Sequence, residues 1–428
     1  MVIERHEQGA FMIEDRGGSS VLPRRPRLLV IASTFPASAE DGTPAFVRDL
    51  AMREGVEFDT TVLVPRSGSA PRHEVIDNIT VERFAYFPKR WEDLAEGAIV
   101  ENLRARRTRW FQVPFFFLGE IIALRRAIRR LRPDVLHVHW VIPQGVSALV
   151  GGRRIPWLVT TLGGDVYALN GALSRWLKGS VLRRSRAVTT MNDDMRTRLV
   201  QLGAAPATTM VLPMGADVDA IRMAAAGVAR VPGRILFVGR LVEKKGTAYL
   251  LEAVRQLGPG WSLKIVGDGP LRAALEATAA GIGDGTQIEF VGTLGRKDLA
   301  AAYAEASIVV FPSVPAASGD QDGLCVALLE AMCVGSAVIS SRMPGADIAI
   351  EDGVSGMLVP PGDVPALAAA MARLLEDPGL RDQFGAAARA RADTFSVQAI
   401  GAKYRELLQQ ILAGSERPCV QSPATTSA

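Results

Sequence analysis

Residues 320–335 read DQDGLCVALLEAMCVG and lie between the apolar runs IVVF at 308–311 and AVIS at 337–340. Apolar run, acidic glycine loop, helix and apolar run form the pattern of a βαβ unit, whose strands lie parallel and buried on both faces. The loop holds Asp320, Asp322 and Gly323; the helix carries one carboxylate, Glu330, and stops at Gly335. The start of a helix offers unpaired N–H groups and a partial positive charge, so it attracts phosphate. Leu324, Cys325 and Val326 would supply those N–H groups, while Asp322 and Glu330 would meet hydroxyls. These residues alone leave two readings open: a seat for a phosphorylated, hydroxyl-rich ligand, or a buried helix with an aspartate cap.

The same alternation continues outward. In the second half, 235–238, 263–266, 288–291, 308–311, 337–340 and 357–359 read as strands, most of them separated by helical patterns. In the first half the strands are 27–33, 60–64, 79–84, 135–138, 157–161, 187–191 and 209–212. Strands alternating with helices imply right-handed crossovers and parallel sheets. The predicted organisation is a disordered tail at 1–26, a Rossmann-like domain at 27–213 and a linker at 214–233. A second Rossmann-like domain follows at 234–395, then a C-terminal helix at 396–412 packing back on the first domain, and a disordered tail at 413–428. A deep cleft between two doubly wound α/β domains is the natural ligand site.

Composition limits the alternatives. The 428 residues are 48% hydrophobic and 22% charged, with net charge +4, as in a soluble globular protein. Cys325, Cys333 and Cys419 form no CxxC pair, and His is scarce, so a disulfide framework or zinc site is not expected and a cytoplasmic location is. No apolar run reaches the roughly 18–20 residues of a membrane span, and no signal peptide is visible. One segment is unusual. Residues 104–132 hold Arg104, Arg106, Arg107, Arg109, Arg125, Arg126, Arg129, Arg130 and Arg132 against Glu120, interleaved with Trp110, Phe111, Phe115, Phe116 and Phe117. Arginine beside aromatic residues suits an anionic membrane surface, which makes peripheral attachment at the inner face of the membrane an expectation. The competing reading is a solvated basic face over a packed helix. No nucleic-acid-binding signature accompanies the charge.

Ligands of open α/β sheets collect at the carboxyl ends of strands. In the second domain those ends carry GRLVEKKG at 239–246, with Gly239, Arg240, Lys244 and Lys245, and VGDGP at 266–270, with Gly267 and Asp268. Arginine offers phosphate a planar fork and lysine a point charge. Pro312 and Ser313 end the strand beside the opening stretch. In the first domain the corresponding places hold Gly42 and Thr43, then His139, then Gly164 and Asp165.

Taken in order, GRLVEKKG, VGDGP, FVGTLGRKDLAAAYAEASIVVFPS, DGLCVALLEAMCVGSAVIS and DIAIEDGVSGMLVPPGD resemble the GT-B glycosyltransferases of family 4, the group of glycogen synthases, sucrose synthases and bacterial phosphatidylinositol mannosyltransferases. The resemblance covers most of 27–412. It implies a GT-B fold and transfer of a sugar from a nucleotide diphosphate-sugar, with retention and without a metal or other cofactor. It implies that Arg240 and Lys245 hold the diphosphate, that Glu330 binds the ribose hydroxyls, and that Asp322 stands where the family has a glutamate near the sugar. The implied acceptor is a glycan or a lipid-linked molecule of cell-surface synthesis. Two departures are present. Asp322 is one methylene shorter than glutamate, and Leu162-Gly163-Gly164-Asp165 stands where the family often has His-Gly-x-Asp. A non-catalytic relative that binds nucleotide sugar, or serves assembly, is the alternative.

Overall fold

The computed structural model describes residues 24–37, 45–68, 70–95, 99, 102–103, 106–282, 287–317 and 319–423. Gly42, Thr43, Arg104 and nearly all of the expected N-terminal tail lie outside them. The first domain contains β1 (Arg27–Ile31), β2 (Asp59–Pro65), β3 (His73–Ile76), β4 (Ile79–Phe84), β5 (Val135–His139), β6 (Trp157–Thr160), β7 (Ala187–Thr190) and β8 (Thr209–Val211). They form one sheet in the order β3-β4-β2-β1-β5-β6-β7-β8, parallel except for β3 against β4. The second domain contains β9 (Arg234–Val238), β10 (Ser262–Val266), β11 (Ile288–Gly292), β12 (Ile308–Phe311), β13 (Ala337–Ser341) and β14 (Met357–Val359), in the parallel order β11-β10-β9-β12-β13-β14. The protein is therefore an α/β molecule of two doubly wound parallel-sheet domains.

Both central strands are apolar on both faces, with Leu28 to Ile31 and Ile235 to Val238 buried. The sheets therefore need a helix layer on each side. Chain order departs in opposite directions from β1 and from β9, so helices fall on opposite faces by the handedness of the crossover. On one face of the first sheet lie α1 (Phe46–Glu54) and, packed against it, a helix from the far end of the chain. On the other face α2 (Gln112–Leu131), α3 (Val146–Gly151) and α4 (Ala172–Arg184) lie side by side. The connection between domains is not wholly irregular, since it holds α5 (Val218–Ala225), capped by the Asp217 side chain. The second domain places α6 (Arg296–Glu305) before β12 and α7 (Val326–Cys333) between β12 and β13.

The last helix, α8 (Val397–Leu412), sits on the first sheet rather than on its own domain. Tyr404 is its anchor: the hydroxyl donates to Leu212 O at 3.0 Å and lies 3.1 Å from Thr189 Oγ1. Thr189 and Thr160 continue that contact to His137, whose Nδ1 is 2.7 Å from Glu54 Oε1. Burial raises the Glu54 carboxyl well above its usual range and holds His137 down at about 3. Beyond α8, Val420 is buried against the first core, although 413–428 reads as a disordered tail. Among the described residues no helix is long and apolar enough to cross a membrane.

Two local differences from the sequence expectation have plain causes. β3 escapes the pattern because it is an edge strand paired on one side, with an exposed and half-exposed alternation and a tight turn at Asp77, where φ is 49°. The aromatic run on α2 divides by helical geometry. Phe116 is buried between Phe84 and Tyr86, whereas Phe111 and Phe115 face solvent.

Candidate active site

The second-domain site is assembled by glycines. Gly239, Gly267 and Gly292 end β9, β10 and β11, and their backbones chain together through Gly239 N to Val266 O and Gly267 N to Gly292 O. At Gly267, where φ is 131°, a Cβ would fall 2.0 Å from Gly239 O, so a side chain has no room. Leu241 N then bonds Asp268 O at 2.9 Å. This stitching fixes the GRLVEKKG loop over the carboxyl ends of β9 and β12, the topological switch point of the sheet. Gly246, at φ 66°, presses on Pro312 so closely that a Cβ would overlap its carbonyl oxygen.

On that loop Lys245 runs beside Gly239 and donates from Nζ to Asp322 Oδ2 at 2.7 Å. Lys244 Nζ lies 3.4 Å from Asp322 Oδ1 and 3.2 Å from Asp320 Oδ2. Cys325 Sγ is 3.7 Å from Lys245 Nζ. Burial opposes charge on Lys245, but Asp322 and then Cys325 outweigh it and hold the ammonium above its usual range. Burial likewise opposes charge on Asp322, and Lys245 and Lys244 outweigh it, so this carboxylate stays ionised below its usual range. Asp322 is therefore a partner of two lysines and does not cap the helix. α7 begins at Val326 with Cys325 in the cap position and no capping side chain. The front of α7 lies beside the Lys245 ammonium through Cys325. Arg240 is exposed at the end of β9 on the same carboxyl edge.

Glu330, one turn into α7, accepts a hydrogen bond at Oε2 from the Tyr303 hydroxyl at 3.0 Å. Burial pushes the Glu330 carboxyl up to about 7, opposed by Tyr303 and by Arg296 and reinforced by Asp49. Asp49 belongs to α1 of the first domain, so Glu330 faces the gap between domains. Arg296 closes that gap: its guanidinium lies 3.2 Å from Asp49 Oδ2 and 3.3 Å from Asp217 Oδ2.

The first-domain candidates divide. Gly163 (φ 121°) touches Gly323 across the gap, since a Cβ there would lie 3.0 Å from Gly323 N. Asn192 Nδ2 donates to Gly323 O at 2.7 Å, so the acidic loop is held by both domains. Gly164 has open space around its Cβ direction. Asp165, by contrast, is buried and spends its carboxylate on three backbone N–H groups, those of Val141 at 2.9 Å and of Leu162 and Gly163 at 3.1 Å. It shapes the loop. His139 is fully enclosed, its ring centre 4.2 Å from that of His137 and tilted against it, and neither ring nitrogen has a hydrogen-bond partner among the described residues. Burial, then His137, holds it neutral. The structure thus brings Lys245, Asp322, Gly323, Cys325 and Glu330 to one wall and leaves His139 behind it. Sequence reasoning missed Tyr303, Arg296, Asn192 and Asp49. Tyr303 and Arg296 lie within the quoted stretch FVGTLGRKDLAAAYAEASIVVFPS, both on α6.

A family model described as glycosyl transferases group 1 matches residues 226–391, and one for a glycosyl transferase 4-like domain matches residues 43–215. The amylovoran biosynthesis glycosyltransferase AmsK of Erwinia amylovora is 37% identical over 216 residues, 50% of this chain and 52% of that protein. The chain thus spans about half the length of that relative. The 2-deoxystreptamine glucosyltransferase of Streptomyces kanamyceticus is 30% identical over 295 residues, 61% of this chain and 72% of that protein. Among solved structures, Anabaena HepE in complex with UDP and glucose overlays with a TM-score of 0.67 at 19% identity, covering 90% of this chain and 100% of that one, a likeness of fold.

Proposed function

Because this chain belongs to the group 1 glycosyltransferases, we propose that it moves a sugar from a nucleotide diphosphate-sugar to a hydroxyl of a glycan or lipid-linked acceptor, with retention at the anomeric carbon. The observation that carries this reading is the Lys245 ammonium beside the uncapped front of α7. Breaking the bond from C1 to the phosphate oxygen leaves the electron pair on that oxygen. Lys245, Arg240 and the N–H groups at the front of α7 oppose that growing charge from fixed positions. The acceptor oxygen bonds C1 from the same face, and its proton passes to the departing phosphate oxygen. Glu330, oriented by Tyr303, takes the ribose hydroxyls. Charge compensation in this scheme comes from side chains and backbone, so no metal is required of it. A covalent route would need a carboxylate positioned as nucleophile; the same-face route needs none.

Asp322 and the donor phosphate compete for Lys245. In the productive complex the phosphate takes the ammonium, and Asp322, still held by Lys244, turns toward the sugar. AmsK is a glycosyltransferase of amylovoran biosynthesis and HepE was solved with UDP and glucose, which supports a sugar nucleotide as donor. The basic aromatic segment at 104–132 supports attachment to the inner face of an anionic membrane. A second reading, a non-catalytic nucleotide-sugar binder, is favoured by the engagement of Asp322 and by Leu162, whose side chain packs on the first core. Incubating the chain with labelled UDP-, GDP- and dTDP-sugars and membrane-extracted acceptors separates them: a new glycoside supports transfer, and nucleotide binding without a product supports the binder.

A further inference from the structure

The α2–α3–α4 layer turns an apolar and basic surface outward. On α2 the buried side is Gln112, Phe116, Glu120, Leu124 and Ala127. The opposite stripe is exposed and begins with Phe111 at the cap (75% exposed), then Phe115, Leu118 and Ile122, and continues as Arg125, Arg126 and Arg129. α3 packs beside α2 and α4 beside α3. α4 repeats the arrangement, with Leu173 (70% exposed) and Trp176 (62% exposed) in its first half and Arg183 exposed in its last. A helix normally turns such a stripe to the core, so an outward one marks an interaction surface.

Charge identifies the occupant. Over 106–133 and 135–192 the carboxylates are Glu120 and Asp165, and both are buried. Those stretches therefore hold no exposed acid, and from outside them Asp93 pairs with Arg109 and Glu82 with Arg130. Large apolar side chains beside Arg125, Arg126 and Arg129, which have no carboxylate partner among the described residues, fit a lipid leaflet, which accepts both through acyl chains and anionic headgroups. Orientation follows from topology. α2 and α4 are crossover helices, so their first halves lie at the carboxyl edge of the sheet, where the cleft opens, and their arginine-bearing halves lie at the far edge.

We infer that this three-helix layer seats on an anionic leaflet with the mouth of the cleft at the bilayer surface, and that the acceptor hydroxyl belongs to a lipid-anchored molecule. The acceptor part rests on the transfer reading above; the docking part does not. The full chain is sedimented with vesicles of phosphatidylcholine alone or mixed with phosphatidylglycerol, at low and high salt. Binding is expected to the anionic vesicles only and to fall with salt. Each of Arg125→Gln, Arg126→Gln and Arg129→Gln should weaken it roughly fivefold, and Phe115→Ser or Trp176→Ser about tenfold. Phosphatidylglycerol brominated on its acyl chains should quench tryptophan fluorescence, and Trp176→Phe should remove part of that quenching. No binding to anionic vesicles, or quenching unchanged by Trp176→Phe, overturns the docking. In vesicles of the host's total lipid extract, label from UDP- or GDP-hexoses should enter the organic phase; label confined to water-soluble product overturns the lipid-anchored acceptor. Nucleotide binding is followed by thermal shift in the same samples. Its loss with docking intact defeats the transfer reading alone.

Discussion

Lys245 Nζ and Asp322 Oδ2 are 2.7 Å apart, and 77 residues of sequence separate them. Each is the main reason the other is charged in a largely buried place. Removing the lysine alone should therefore destabilise the fold, by about 1–3 kcal/mol, with Lys244 limiting the loss. Lys245→Met combined with Asp322→Asn should recover most of that stability and none of the turnover. Chemical denaturation of the two single variants and the double measures this coupling.

Asp322→Asn alone frees the ammonium. Nucleotide diphosphate should then bind several-fold more tightly while kcat falls, because the carboxylate no longer reaches the sugar. Calorimetric binding together with initial rates checks both halves. Weaker binding would mean that Asp322 organises the phosphate seat instead of competing with it.

Glu330 carries a pH signature. Its carboxyl is raised from an ordinary value of 4.5 to about 7. The folded state then holds a proton that the unfolded state releases, so this group's stabilisation is full below about pH 4.5 and is lost as pH rises to about 7. The loss is on the order of 3 kcal/mol. Glu330→Gln should flatten that part of the stability curve and make the protein more stable at pH 8. Thermal melts across this range, compared between wild type and Glu330→Gln, read it directly.

Tyr303 acts on the donor through Glu330. Tyr303→Phe removes the hydroxyl that donates at 3.0 Å and costs about 1 kcal/mol of stability. It should raise the donor KM several-fold with a smaller change in kcat, and shift the pH dependence of donor binding upward. A change in stability alone, with KM and the pH profile unmoved, would leave Tyr303 a packing residue.

Much of this was legible in the sequence. Apolar runs bounded by glycine gave the strands of both sheets, because buried parallel strands cannot carry polar alternation. β3 was hidden because an edge strand can. The basic turn at 239–246 and the acidic loop at 320–323 were visible as strand ends, but not that Lys245 and Asp322 would pair. His139 was not decidable, because a polar residue ending a strand can face the cleft or lie sealed behind it, and here it is sealed beside the His137 ring. Arg296 and Asp49 were not readable, since 247 residues separate them and only the docking of two domains joins them.

That interdomain contact has its own consequence. Arg296→Ala leaves Asp49 and Asp217 without the cation that both approach. The domains should spend more time apart, giving a larger radius of gyration in solution scattering and a lower rate at saturating donor. Asp49→Asn should produce the milder form of the same change.

The central claim is that the second domain grips the leaving nucleotide diphosphate with the basic turn and the front of α7. Equilibrium binding of UDP, GDP and dTDP to wild type, Lys245→Ala and Arg240→Ala tests it most directly, with nucleosides as controls. One of the diphosphates should bind the wild type, and each variant should lose roughly tenfold to a hundredfold in affinity while the nucleoside control is unaffected. Equal affinity in all three proteins would contradict the account.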